Sequence, residues 1–175
     1  MTKLAWGAKV PPEFWSGVMA MCGRLVMDPN HGMAVMAFET GETFRSDIRN
    51  AAGSGAVGLI QFMPGTCASM GVTVGQMASL TPTQQLAYVE RYFKPWAGRL
   101  KTLGDVYGAV LWPAMIGKPD DYIVFDQGDE KRPKLYIQNK GLDYNKDGKI
   151  TRKEIVAKVQ AKLDRGLLPQ FIANI

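Results

Sequence analysis

Apolar positions in this chain recur mostly at helical spacing. Phe14, Trp15, Val18, Met21, Cys22 and Leu25 share one face of a helix entered through Pro11-Pro12-Glu13. A second helix is predicted over residues 31–40, its apolar side supplied by Met33, Met36, Ala37 and Phe38. Residues 51–59 carry too many glycines for a stable element and read as a loop or short hairpin. A short helix is expected over 66–70. Thr81-Pro82-Thr83-Gln84 combines an N-cap threonine, a first-turn proline and a glutamine three residues on, opening a helix that stops before Pro95. Residues 103–111 predict another helix, ended by Trp112-Pro113. Residues 117–142 hold many Gly, Pro and Asp and read mostly as loop. A last helix starts at Thr151 and aligns Ile155, Val156, Val159 and Leu163. The predicted fold class is therefore mainly α, with a small, different element at the C-terminal end.

Composition narrows the chemistry. The chain has 175 residues, 46% of them hydrophobic and 21% charged, with a mean hydropathy of −0.10 and no apolar run long enough to span a bilayer. The first dozen residues have no long apolar stretch or small-residue cleavage site, so no removable signal peptide is expected. Two cysteines, Cys22 and Cys67, exclude a disulfide-framed scaffold and read as buried hydrophobes. The single histidine, His31, is too little for a His/Cys zinc site and would have to serve any Ser-His or Cys-His nucleophile; its neighbours place it in a loop or helix start. Any chemistry must then run on carboxylates. Residues 131–175 hold 11 Lys/Arg against 4 Asp/Glu, a net +7, while residues 1–130 net −2. That asymmetry fits either an anionic partner or a solvated helix face.

Glu39 ends the apolar run Met33-Ala-Val-Met-Ala-Phe38. A carboxyl beside Phe38, and Phe44 or Phe62, should be desolvated and its pKa raised, which suits a general acid at a glycosidic oxygen. Taken locally, a glutamate at a helix end is more often a solvated cap. Some 15 residues on comes Gly55-Ala56-Val57-Gly58-Leu59-Ile60-Gln61-Phe62-Met63-Pro64-Gly65-Thr66. Together with Glu39-Thr40 this resembles the lysozyme-like superfamily of soluble lytic transglycosylases and goose-type lysozymes. Their pattern is Glu-Ser, a short loop, then Gly-Ala-x-Gly-Leu-Met-Gln-x-Met-Pro-x-Thr. Thr40 replaces Ser and Ile60 replaces Met. A third family block, Ala-Tyr-Asn-Ala-Gly, has its nearest counterpart in Asp105-Val106-Tyr107-Gly108-Ala109, which keeps Tyr107 and has Gly108 in place of Asn. The resemblance covers about residues 30–115 and is nearest to phage-encoded members.

The resemblance implies a lysozyme-like helical domain that cleaves the β-1,4 bond between N-acetylmuramic acid and N-acetylglucosamine in peptidoglycan. Glu39 would be the catalytic acid and then base, with Gly58, Gln61, Met63 and Tyr107 on the glycan. Gly55 and Gly58 would let backbone approach the saccharide. Tyr88, Tyr92 and Trp112 offer sugar-binding faces but at helical spacing read as core. In lytic transglycosylation the substrate's own C6 hydroxyl attacks and leaves a 1,6-anhydromuramoyl end. The alternative, a muramidase that adds water, needs a second carboxylate, for which Glu42 and Asp47 are nearest in sequence. An alternative of another class is a calcium-stabilised wall-binding or virion structural protein without activity.

The second constellation is Asp143-Tyr-Asn145-Lys-Asp147-Gly148-Lys149-Ile150-Thr151-Arg-Lys-Glu154. It matches the twelve-residue EF-hand loop: Asp143, Asn145 and Asp147 at positions 1, 3 and 5, Gly148 at the turn, the Lys149 carbonyl at 7, Thr151 at 9 and a bidentate Glu154 at 12. Ile150 should pack inwards. Pro133 and Gly141 argue against an incoming helix, so the expectation is a loop with only its exit helix, holding a structural Ca²⁺. The competing reading is a metal-free turn in which Thr151-Arg-Lys-Glu154 caps the last helix. Lys153, Lys158, Lys162 and Arg165 would face solvent and could meet an anionic membrane or envelope surface.

Two parts follow: residues 1–130 as a transglycosylase domain, and the basic residues 131–175 with the calcium loop, packed on the same globule. The expected partner is the peptidoglycan glycan strand. Nucleic acid is not expected, because the basic segment lacks interleaved aromatics. The expected state is a monomer. Length and the absence of a signal peptide favour an endolysin waiting in the host cytoplasm until release, then acting on the periplasmic wall.

Overall fold

The computed structural model describes residues 2–50 and 53–175. Eight α-helices carry these residues: α1 (Pro12–Leu25), α2 (Pro29–Glu39), α3 (Pro64–Ser69), α4 (Val74–Ser79), α5 (Pro82–Phe93), α6 (Leu103–Leu111), α7 (Pro133–Asn139) and α8 (Arg152–Gly166). Four short strands complete them: β1 (Lys3–Leu4), β2 (Ile123–Asp126), β3 (Lys149–Thr151) and β4 (Ala173–Asn174). The fold is mainly helical. No helix among the described residues is long and apolar enough to cross a membrane.

Helix starts follow local chemistry. Proline occupies the first turn of α1, α2, α3, α5 and α7, where its missing N–H costs nothing. Reciprocal capping boxes open α4 (Thr73/Gln76), α5 (Thr81/Gln84), α6 (Thr102/Asp105) and α8 (Thr151/Glu154). On α1 the apolar stripe expected from the sequence is buried, with Trp15 half-exposed at its edge.

α2 is the central rod. It packs against α1, α6 and α8, and residues 32 to 37 are all buried, so it has no polar face. α8 lies across both α2 and α6, and it is locked there by Arg152. That guanidinium donates to Asp105 Oδ1 (3.2 Å), Thr102 Oγ1 (2.8 Å) and Asp120 Oδ1 (3.0 Å). Asp105 is otherwise filled by the Gly117 N–H and by Thr102, so the buried pair sits in a bonded network. The basic C-terminal segment thus supplies core to the same globule. β1 and β4 pair antiparallel, Lys3 opposite Asn174, and the Trp6 indole donates to the Lys162 carbonyl at 2.9 Å.

Residues 117–142 depart from the expected loop. β2 runs antiparallel to β3, with Phe125 opposite Ile150 and Asp126 opposite Lys149, and α7 follows. Pro133 starts α7 rather than breaking it, and Gly141 falls beyond the helix in a 3₁₀ turn over Lys140–Leu142. The loop at 143–154 therefore has a helix on both sides. The short helix predicted over 66–70 begins earlier, at Pro64, and α4 was not expected. Of the segment 51–59, residues 51 and 52 lie outside the described residues.

Candidate functional site

Glu39 is the last residue of α2. Burial pushes its carboxyl from the ordinary 4.5 up to about 7. Phe38 packs edge-on against Tyr107 of α6, ring centroids 5.3 Å apart, which brings the tyrosine to the acid. Burial raises the Tyr107 phenol, and the charge of Glu39 raises it further. The Tyr107 hydroxyl makes no hydrogen bond to protein among the described residues. Tyr92 of α5 feels burial and Glu39 in the same way. Its hydroxyl donates to the Ala109 carbonyl (2.9 Å) and its ring meets Phe62 edge-on at 6.2 Å. Both tyrosines thus lie close enough to feel the acid's charge. Of the aromatic neighbours expected for it, Phe44 packs instead on Trp6 and Phe14, and Phe62 reaches it through Tyr92.

The turn after Glu39 is held by Thr40. Fully buried, its hydroxyl donates to the Met36 carbonyl (2.7 Å) and accepts from the Phe44 N–H (3.0 Å). Thr40→Val is expected to leave that N–H unsatisfied and cost roughly 1–3 kcal/mol in urea unfolding, whereas Thr40→Ser should cost far less.

The glycine-rich segment forms a tight hairpin. Val57 and Phe62 exchange both backbone bonds, and the Gly58 N–H donates to the Ile48 carbonyl at 2.9 Å. Gln61 sits at positive φ (53°), and its Nε2 donates to the Gly58 (3.0 Å) and Ile48 (3.3 Å) carbonyls. The Gln61 donor therefore shapes its own loop. Its Oε1 has no protein donor among the described residues. Gly58 (φ 85°) looks inward: a Cβ there would strike the Gln85 side-chain amide. The absence of a side chain there makes room for Gln85. Met63 is 49% exposed and caps α3. Gly108 also has a local reason, because a Cβ would lie 2.9 Å from Met115 Cγ and force that side chain to shift.

Sequence reasoning missed Gln85. Buried on α5, its Oε1 accepts from the Leu59 N–H (2.7 Å), and its Nε2 donates to the Ser46 (3.1 Å) and Met77 (3.0 Å) carbonyls. One amide ties the hairpin, the loop after the acid and α4 together. Thr40 and Tyr92 were also outside the expected site; Thr40 was legible as the polar residue following the acid.

Neither alternative base is free. Glu42 is bound by Lys162 and by Arg165 Nε (3.2 Å) of α8. Asp47 takes both arms of Arg45, at 2.9 and 2.8 Å, and that guanidinium holds its carboxyl below the usual range. Two of the four α8 cations expected in solvent are thereby committed to the body. His31 lies in the first turn of α2, and burial lowers its pKa. Cavities lie at Phe44, Lys9, Arg45 and Pro82, and at Trp112 beside α7; neither includes Glu39.

In the 143–154 loop the Asp143 carboxylate accepts from the Asp147 (3.2 Å) and Gly148 (3.0 Å) N–H groups and from the Tyr136 hydroxyl (2.7 Å). Asn145 Oδ1 accepts from the Asp147 N–H, Asp147 Oδ1 from the Lys149 N–H, and Ile150 is buried. Lys146 and Gly148 take positive φ, 59° and 83°, at the sharp turn. Glu154 Oε2 accepts from Thr151 N–H (2.8 Å) and Oγ1 (2.7 Å), the capping box, while Oε1 accepts from the Tyr144 N–H at 3.2 Å. As they stand, no three His, Cys, Asp or Glu side chains among the described residues gather as a metal cluster. The donors are nevertheless all oxygens, three of them carboxylates, in a loop already wrapped by its own backbone, which suits a hard divalent cation. Compared with known proteins, the chain matches no protein-family model and no curated protein sequence.

Proposed function

We propose that this protein is a lysozyme-like lytic transglycosylase that cleaves the β-1,4 bond between N-acetylmuramic acid and N-acetylglucosamine in peptidoglycan. The observation that carries the reading is one desolvated carboxyl near two tyrosines while the nearest acids in sequence are tied up in ion pairs. With a pKa of about 7, Glu39 is partly protonated at neutral pH and has a strong drive to donate. It gives its proton to the glycosidic oxygen as the bond to C1 breaks. The resulting carboxylate takes the proton of the substrate's C6 hydroxyl as that oxygen bonds C1. The products are a free 4-hydroxyl and a 1,6-anhydro ring, no water is consumed, and Glu39 ends protonated. The free Tyr107 hydroxyl and Gln61 Oε1 are groups for the sugar, and exposed Met63 offers an apolar edge.

Mass spectrometry of fragments released from purified peptidoglycan tests this. Anhydromuramoyl ends from the wild type are expected. Reducing ends carrying an added water would convert the reading to a muramidase, and no fragments would leave a wall-binding or structural role.

In the loop, Asp143, Asn145, Asp147, the Lys149 carbonyl and Glu154 would hold Ca²⁺, with β2 replacing the second EF-hand's strand opposite β3. The ion's role would be structural, fixing α7 and α8 about the loop. Millimolar Ca²⁺ is expected to raise Tm by several degrees in the wild type. In Asp143→Ala the rise should vanish, and an equal rise in both proteins would refute the site.

A further inference from the structure

A second binding feature lies beyond the acid, at the C-terminal end of α6. Trp112 caps that helix five residues after Tyr107, about 7.5 Å along the axis at 1.5 Å per residue. Its ring is buttressed from behind by buried Phe125, edge-on at 5.4 Å. On its other side opens a cavity of about 510 Å³ lined by Trp112, Lys131, Arg132, Pro133, Lys134 and Leu135. The Arg132 guanidinium stands 5.8 Å from the ring centroid, held there by Asp129 at 2.9 Å. Among the described residues, Lys131 and Lys134 make no ion pair or hydrogen bond through their side chains. An aromatic shelf with apolar walls and two uncommitted cations matches a sugar or peptide face carrying carboxylates.

We infer that this cavity binds the carboxylate-bearing peptide stem of the glycan strand, so that the protein distinguishes stem-bearing from bare glycan. The inference rests on the proposed substrate. With the reacting bond at Glu39, a strand following α6 from Tyr107 would reach the Trp112 shelf, where neutral sugar hydroxyls give lysines nothing to pair with. The stem carboxylates do. Arg132, already neutralised by Asp129, positions the ring, while Lys131 and Lys134 supply the attraction.

The test compares wild type with Lys131→Gln/Lys134→Gln, both exposed side chains whose change should leave the fold intact. Two substrates are used, intact sacculi and glycan freed of its stems by an amidase, with the muramic lactyl carboxylates so exposed then capped as amides. The variant is expected to lose about tenfold in kcat/KM on intact sacculi, the scale of two solvent-exposed charge contacts, and nothing on bare glycan. Equal loss on both substrates, or none on either, overturns the proposal. Binding is read separately by following the Trp112 indole N–H in NMR during titration with N-acetylmuramyl-L-alanyl-D-glutamate. A shift in wild type, weakened about tenfold in the variant, is expected on the same charge count. If that titration succeeds while neither protein cleaves either substrate, the cavity stands and the transglycosylase reading falls. If the indole does not move, the cavity is not a stem site.

Discussion

Glu39→Gln is expected to abolish peptidoglycan cleavage and, at the same time, to make the fold more stable above pH 7. Loss of the general acid should lower turnover roughly 10²–10⁴-fold. The stability gain follows from linkage. The folded carboxyl holds its proton up to about pH 7, whereas the unfolded one releases it near 4.5. Below pH 4.5 both states are protonated and the acid carries no penalty. Between 4.5 and 7 the unfolded state ionises first, so stability falls as pH rises. Above 7 the full penalty applies, about 3 kcal/mol at 1.36 kcal/mol per pKa unit. Glutamine, neutral throughout, escapes it. Urea denaturation of the two proteins at pH 4 and pH 8.5 should coincide at the lower pH and separate at the higher. Equal curves at both would mean that Glu39 is hydrated in the fold. Wild-type activity should likewise fall as pH rises through about 7, because the protonated form does the work.

Gln85→Leu is expected to be the most destabilising single change in the site's framework. It would strand the Leu59 N–H and the Ser46 carbonyl, and leave the Met77 carbonyl only its 3.4 Å bond from the Leu80 N–H. At about 1–3 kcal/mol for each buried group left without a partner, partly relieved by relaxation, the loss should reach roughly 3–5 kcal/mol. Gln85→Glu is the sharper control. It keeps size and one acceptor but turns the donor end into a second acceptor facing two carbonyls. A loss near that of leucine would assign the effect to hydrogen bonding, while a small loss would assign it to volume. Any residual folded protein should cleave poorly, since the hairpin carrying Gln61 and Met63 loses its anchor on α5.

The helices were legible because their ends carry their own chemistry. Thr81-Pro82 and Thr151 mark starts that the chain honours, and Trp112-Pro113 stops α6 where expected. α7 was not legible, because Pro133 and Gly141 were weighed as breakers when they stand at its two boundaries, where each is compatible with a helix. β2 could not be foreseen from its own residues, since its partner β3 lies more than twenty positions on. In the site, desolvation of Glu39 was readable from its apolar approach. Gln85 was invisible, because a glutamine inside an amphipathic helix looks like a solvent-facing residue. Its three partners, at separations of 26, 39 and 8 residues, exist only after folding. The inward turn of Gly58 was hidden for the same reason, as glycine leaves no mark of what presses on it.

Enclosure of α2 has a consequence for how the acid fluctuates. Amide groups open to solvent by local fraying where few apolar contacts oppose it, and only by global unfolding where a segment is packed on every side. α2 belongs to the second kind, so the rod that ends in Glu39 should be among the last segments to exchange its amide protons. Breathing of the scaffold then does not average the acidity of that carboxyl towards that of an ordinary surface glutamate.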